Sequence, residues 1–190
     1  MGEAHIYAVD ITRDFDPGQL TAPGAEELAN GEEDGLAGNQ HYRDLRGASW
    51  DDVADVLACE AEALRRFAAA SDLDEEAEQF DEERLGFMEP EDLWGLDVGV
   101  ASAALALAAL GAIPVGSCNA GGFGGHHQAR FPYVAFFIGQ APPQTVLDIA
   151  ADADIGLDII DPGIGRLFAQ GDHDLHRFGR RALDRHRNSG

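Results

Sequence analysis

The stretch Gly116-Ser-Cys-Asn-Ala-Gly-Gly-Phe-Gly-Gly-His-His-Gln-Ala-Arg130 packs a thiol, an amide, two imidazoles, a guanidinium and a run of glycines into fifteen residues. A cysteine nucleophile acts as the thiolate, so it needs a nearby base or a positive field. His126 or His127 could be that base for Cys118, and Asp97 or Asp158 could orient the imidazole. Successive N–H groups around residues 121–125, with Gly122, Gly124 and Gly125 free to turn them to one point, could cradle an anion or an oxyanion. Ser117 and Asn119 add a hydroxyl and an amide, and Arg130 could fix a carboxylate or phosphate. The chemistry these types allow is acyl transfer or hydrolysis, or the binding of a small anionic ligand. The catalytic candidates are Cys118, His126, His127 and Asp97. The ligand-binding candidates are Ser117, Asn119, Gly122, Gly124, Gly125 and Arg130.

Each of these residues also has a plainer reading. Cys118 can be a small buried hydrophobe, the glycines and Asn119 can simply make a turn, and the histidines can satisfy buried polar groups. A metal reading needs Cys118, one of His126 and His127, and a third ligand from Asp158, Asp161, His173 or His176. Adjacent residues on an extended chain point to opposite faces, so the two histidines do not suit one ion. Neither C-x-x-C nor H-E-x-x-H occurs, and no metal is expected. The glycine run is neither a dinucleotide fingerprint nor a phosphate-binding P-loop, since no G-x-G-x-x-G opens a helix and no Gly-Lys-Ser/Thr follows. The cofactor, if any, is not identified.

These residues must be held by the elements around them. Residues 112–116 and 133–138 are apolar and strand-like, and a connecting loop without an intervening helix predicts an antiparallel pair. Residues 91–110 read as an apolar helix opened by Pro90 and closed by Gly111, with Asp97 the one charge in its apolar part, after Glu91 and Asp92. Upstream, residues 5–11 read as a strand. Residues 14–47 form a long irregular excursion with at most a short helix near 25–29. Residues 50–70 read as an amphipathic helix, with Ser49 as cap and Asp52 as the returning acid. Residues 72–92 carry eleven acids and a single arginine, and read as a second, mostly solvated helix. Downstream, a helix from Pro142-Pro143 to 151 and a strand at 155–160 make a strand–helix–strand unit, which favours parallel strands. Residues 164–187 read as a helical region broken at Gly171-Asp172. The expected fold is a single α+β domain over 1–190, a two-layer sandwich with a mixed sheet of about four strands and helices packed on one face.

Residues Gly111-Ala-Ile-Pro-Val-Gly-Ser-Cys-Asn-Ala-Gly-Gly-Phe-Gly-Gly-His-His127, preceded by Leu93-Trp-Gly-Leu-Asp-Val-Gly99, resemble an uncharacterised group of prokaryotic proteins. Its theme is an apolar helix, a strand ending in Ser-Cys-Asn, and a glycine-rich loop with histidine. The resemblance spans residues 93–138. It implies that the hairpin is one unit, and it assigns no activity.

Composition narrows the partners. The chain has 190 residues and a net charge of −22, and all thirteen basic residues are arginine. So acidic a surface repels phosphates and anionic lipid, which argues against nucleic acid and membrane. A basic protein meeting the acidic segment 72–92 is the alternative to a small-molecule site, and would make the chain a non-catalytic interaction module. No basic region or apolar core opens Met1-Gly-Glu-Ala-His5, and two distant cysteines make no disulfide framework. The expectation is a cytoplasmic protein with reduced thiols.

Overall fold

The computed structural model describes residues 5–14, 16–86, 93–123 and 129–189. Within the excursion a 3-10 turn at Pro17–Gln19 precedes two short helices, α1 (Ala25–Ala29) and α2 (Gly31–Asp34). Helix α3 (Trp50–Ala69) begins at a capping box. The Ser49 hydroxyl accepts from the Asp52 N–H, and the Asp52 carboxylate accepts from the Ser49 N–H. Val53, Val56, Leu57, Leu64 and Phe67 form its buried stripe. Helix α4 (Leu73–Gly86) follows, held to α3 by Arg66, which pairs with Glu76 and Glu83.

Residues 93–100 form turns rather than the first half of a helix. Trp94, Gly95 and Gly99 all take positive φ, which no continuous α-helix permits. Helix α5 (Ala101–Leu110) therefore starts later than its apolar run suggests, and Asp97 lies in the turn before it. Ala101 through Ala108 are buried on every side, so α5 is a core helix.

Four strands follow: β1 (Ile113–Cys118), β2 (Tyr133–Phe137), β3 (Gly156–Asp161) and β4 (Ile164–Phe168), with α6 (Pro143–Asp152) between β2 and β3. Helix α7 (Asp174–Ser189) ends the chain. The fold is α+β, with one four-stranded sheet and helices packed against one of its faces, as the sequence indicates. The strand order is β1-β2-β4-β3, and every pairing among these strands is antiparallel rather than mixed. The reason is β4. Its residues were expected to begin a helix, but Gly163, at φ +86°, turns the chain back so that β4 slots between β2 and β3. Those two strands run parallel yet never touch. Residues 5–13 likewise form no strand of the sheet. They run as an extended strap, with Tyr7 N–H donating to Gln170 O at 2.7 Å and Thr12 O accepting from Leu157 N–H at 2.9 Å.

The two faces of the sheet differ. Val134, Phe136, Leu157 and Leu167 face the main core with α3, α5, α6 and α7. Ile113, Val115, Ala135 and Phe137 face the excursion, where Leu36 and Tyr42 cover them. Among the described residues, no helix is long and apolar enough to cross a membrane.

Candidate functional site

The excursion covers only part of its sheet face. Beside it lies an open cleft of about 980 Å³, walled by residues 37–45 and by the turn at 95–97, with β1, β2 and β4 as its floor. The register explains the depression. Gly116 of β1 pairs with Ala135 of β2, and Ala135 pairs with Arg166 of β4. The two smallest side chains in that row stand next to each other, so little rises from the floor there.

A bulge between Pro114 and Gly116 decides what faces the cleft. Side chains alternate along a strand, and one extra residue reverses the alternation beyond it. Val115 packs on the excursion side. Without the bulge Cys118 would turn toward the helices; with it, Cys118 pairs with Tyr133 and both line the cleft. Cys118 is 3 % exposed, and its sulfur accepts the Ala120 N–H at 3.3 Å.

Of the residues singled out in the sequence, Ser117, Cys118 and Asp97 share this cleft lining. Asp97 does so from the turn before α5, not from within a helix, and is half-buried. Asn119 has a positional role. Its side-chain N–H donates to Val98 O at 3.3 Å while its Oδ1 accepts the Gly121 N–H at 2.9 Å, so it ties the glycine loop to the turn that carries Asp97. Gly122 sits where a Cβ would come within 2.6 Å of Asp172 Oδ1 and 3.0 Å of the Tyr7 hydroxyl; only glycine fits. Arg130 is exposed and is not among the cleft-lining residues. Gly124, Gly125, His126 and His127 lie outside the described residues.

The structure adds groups that the sequence reading passed over. From the excursion come Asn39, His41 and Arg43; Asn39 donates to Val115 O at 2.8 Å and Arg43 to Trp94 O at 2.6 Å, so both brace the cleft walls. From the sheet come Tyr133 and Arg166. Arg166 is gripped by Asp158 through two bonds, Nε to Oδ1 at 3.0 Å and Nη2 to Oδ2 at 2.6 Å. Its guanidinium also lies over the rings of Phe131 and Phe168, at 5.0 and 5.5 Å.

Two phenols near Cys118 are perturbed. Burial pushes Tyr133 above its ordinary value, and the neighbouring Cys118 adds to this, while Arg166 pulls the other way. Burial also raises Tyr7, reinforced by the adjoining Asp172 carboxylate and more weakly by Cys118. Both phenols therefore keep their protons at neutral pH and are hydrogen-bond donors there.

Two of the groups weighed as metal ligands have other partners. His176 is buried against Glu60, and Asp158 is taken by Arg166. Among the described residues, no three His, Cys, Asp or Glu side chains are grouped so as to hold a metal ion. Compared with protein-family models, with curated proteins and with solved structures, the chain matches none.

Proposed function

We propose that the protein binds a small molecule in the cleft between residues 37–45 and the excursion face of the sheet, with the Cys118 thiol in its wall. The observation that carries this reading is the convergence of Cys118 and Asp97 on one open cavity of about 980 Å³ with Tyr133 and Arg166. Clefts of this size, part apolar and part polar, are the usual form of small-ligand sites. The floor supplies apolar contact through Val115, Ala135 and Ile164, and the rim supplies His41, Arg43 and Asp161. If the bound molecule reacts, Cys118 is the nucleophile the cleft offers. Its base is then His126 or His127, which follow the glycines in sequence, or His41 of the cleft lining.

The test is a thermal-shift screen of a small-metabolite library, followed by iodoacetamide labelling with each stabilising compound. Cys59 lies on α3, half-buried and away from the cleft lining, and serves as the internal control. A cleft ligand slows alkylation of Cys118 and leaves Cys59 unchanged. Compounds that stabilise the protein yet leave Cys118 unprotected bind elsewhere, and a library in which all behave so removes the reading.

A further inference from the structure

Within the cleft, one group is built unlike the rest. Arg166 projects from the middle of a strand, and its guanidinium is held by a carboxylate and by a pair of aromatic rings. Asp158 on the neighbouring strand holds Nε and Nη2, and the adjoining Phe131 and Phe168 rings lie together against the guanidinium. Phe168 is itself held in place over Gly156, where a Cβ would collide with the ring. The bidentate pair uses one edge of the guanidinium and leaves Nη1 outside it. Arginine presents five donors in a rigid fork, so an edge not spent on one carboxylate can take another. Next to Arg166 in its row stand Ala135 and then Gly116, the low part of the floor.

We propose that the cleft selects a small carboxylic acid, its carboxylate held by the Nη1 edge of Arg166 and its apolar body laid over Ala135 and Gly116 against Tyr133. This rests on the cleft reading above and names the ligand class for it. Arg166, not the exposed Arg130, is the anion-reading arginine. Preorganisation is what makes this residue suitable: a guanidinium already locked by a carboxylate and two rings loses little freedom when a ligand arrives. The protonated Tyr133 hydroxyl provides a second donor on the same floor. Asp97 and Asp161 also line the cleft and oppose an anion, so the outcome turns on which charge lies nearer the floor.

Three probes of one shape separate the possibilities: benzoate, its neutral isostere benzamide, and its cationic isostere benzamidine. Binding to the full-length protein is measured by titration calorimetry or by chemical-shift changes at low ionic strength. Benzoate is expected to bind most tightly. Arg166→Gln should weaken it about tenfold or more, the loss typical of one charge-assisted contact. Because that change leaves Asp158 without its partner, Arg166→Lys is the second variant. It keeps the charge and the ion pair but loses the fork, and should weaken benzoate while leaving benzamide unaffected. Equal binding of benzoate and benzamide would show that only the apolar floor matters, and would overturn the proposal. Preference for benzamidine would overturn it in favour of Asp97 and Asp161. If none of the three binds, the carboxylate reading is wrong, and the cleft itself still stands or falls on the library screen with Cys118 protection.

Discussion

Two charged clusters flank the sheet, one on each face, and they are satisfied to different degrees. On the helix side, Glu60 of α3 is fully buried. Its Oε1 accepts the N–H groups of Gly99 and Ala101, each at 2.9 Å, and its Oε2 accepts from the Ser102 hydroxyl and from His176 Nδ1 at 2.7 Å. Arg180 approaches His176 Nε2 at 3.3 Å, so Nε2 accepts and the proton sits on Nδ1. Every lone pair has a donor, and three helices are tied at one point. Serine, histidine and glutamate meet here, yet the arrangement is not that of a hydrolase. Ser102 gives its proton to the carboxylate instead of the imidazole, and both Ser102 and Glu60 are sealed from solvent. On the other face, Arg166 has a fork only partly used, beside an open cavity. A saturated buried charge holds a fold together; a half-used charge at a cavity has capacity left for a ligand.

That contrast predicts its largest effect at Glu60. Glu60→Ala removes the acceptor for four donors and leaves His176 and two backbone N–H groups buried without partners. Each buried donor left unpaired costs about 1–3 kcal/mol, so three of them together should cost about 3 kcal/mol or more. Urea unfolding should show a loss of that size. A loss near that of an ordinary surface change would mean that the cluster is wet or rearranges, and the distinction between the two faces would fail.

The crossing of α5 and α7 gives the next largest effect. A Cβ on Gly179 would fall 2.8 Å from Ser102 Oγ and 3.0 Å from its backbone carbon. Gly179→Ala must push the helices apart, and overpacking of this kind costs about 1–3 kcal/mol. Combined with Ser102→Ala the cost should fall, because part of the collision is with the hydroxyl. If the double variant is simply the sum of the singles, the two residues do not touch as described.

The start of α3 is the exposed counterpart of its buried middle. The Ser49 hydroxyl, and then the Ser49 N–H, hold the Asp52 carboxyl below its ordinary value. Its pKa is lower folded than unfolded, so its contribution to stability is complete above the ordinary carboxylate range. It disappears as pH falls through that range toward the folded value. Ser49→Ala should cost about 1 kcal/mol at neutral pH, the usual worth of a cap. The difference from wild type should narrow under acid conditions. A difference that stays constant with pH would leave the cap without its electrostatic part.

How much of this was legible in the sequence depends on range. The capping box, the stripe of α3, the β1–β2 hairpin and α6 are signalled by neighbours within a few residues, and the structure has them. The start of α5 was missed because Leu93–Val100 is apolar enough to continue a helix, and only the positive φ of Trp94, Gly95 and Gly99 stops it. Strand β4 was read as helix because Ile-Gly-Arg-Leu-Phe is short and its alternation is broken by Gly165, whose bareness makes room for Phe136 and Leu20. Missing β4 hid Arg166, since nothing local says that residue 166 will lie beside Ala135. Glu60 was hidden for the same reason. On the helix it looks like any acid, and its four donors come from residues 39 or more positions away. Ser117, Cys118 and Asp97 were found because their residue types are informative on their own. The cleft that joins them is formed by the excursion, which carries no periodic signal.

The smallest effect on stability is expected at Gly116, and it gives the sharpest test of the open face. This glycine has no positive φ, and a Cβ on it would meet only Asn39 Nδ2, at 3.9 Å. Gly116→Ala should therefore change stability by no more than about 0.5 kcal/mol, as at an unconstrained surface position. A larger side chain goes into the depression itself. Gly116→Leu should leave the fold intact, slow alkylation of Cys118 and leave Cys59 at its wild-type rate. At Gly179, on the closed face, a single methyl group is expected to do more damage than four carbons do at Gly116. If Gly116→Leu instead destabilises the protein as much as Gly179→Ala, the excursion packs tightly against the floor in solution. There would then be no cleft for a ligand, and the half-used fork of Arg166 would have to be explained by its place in the fold alone.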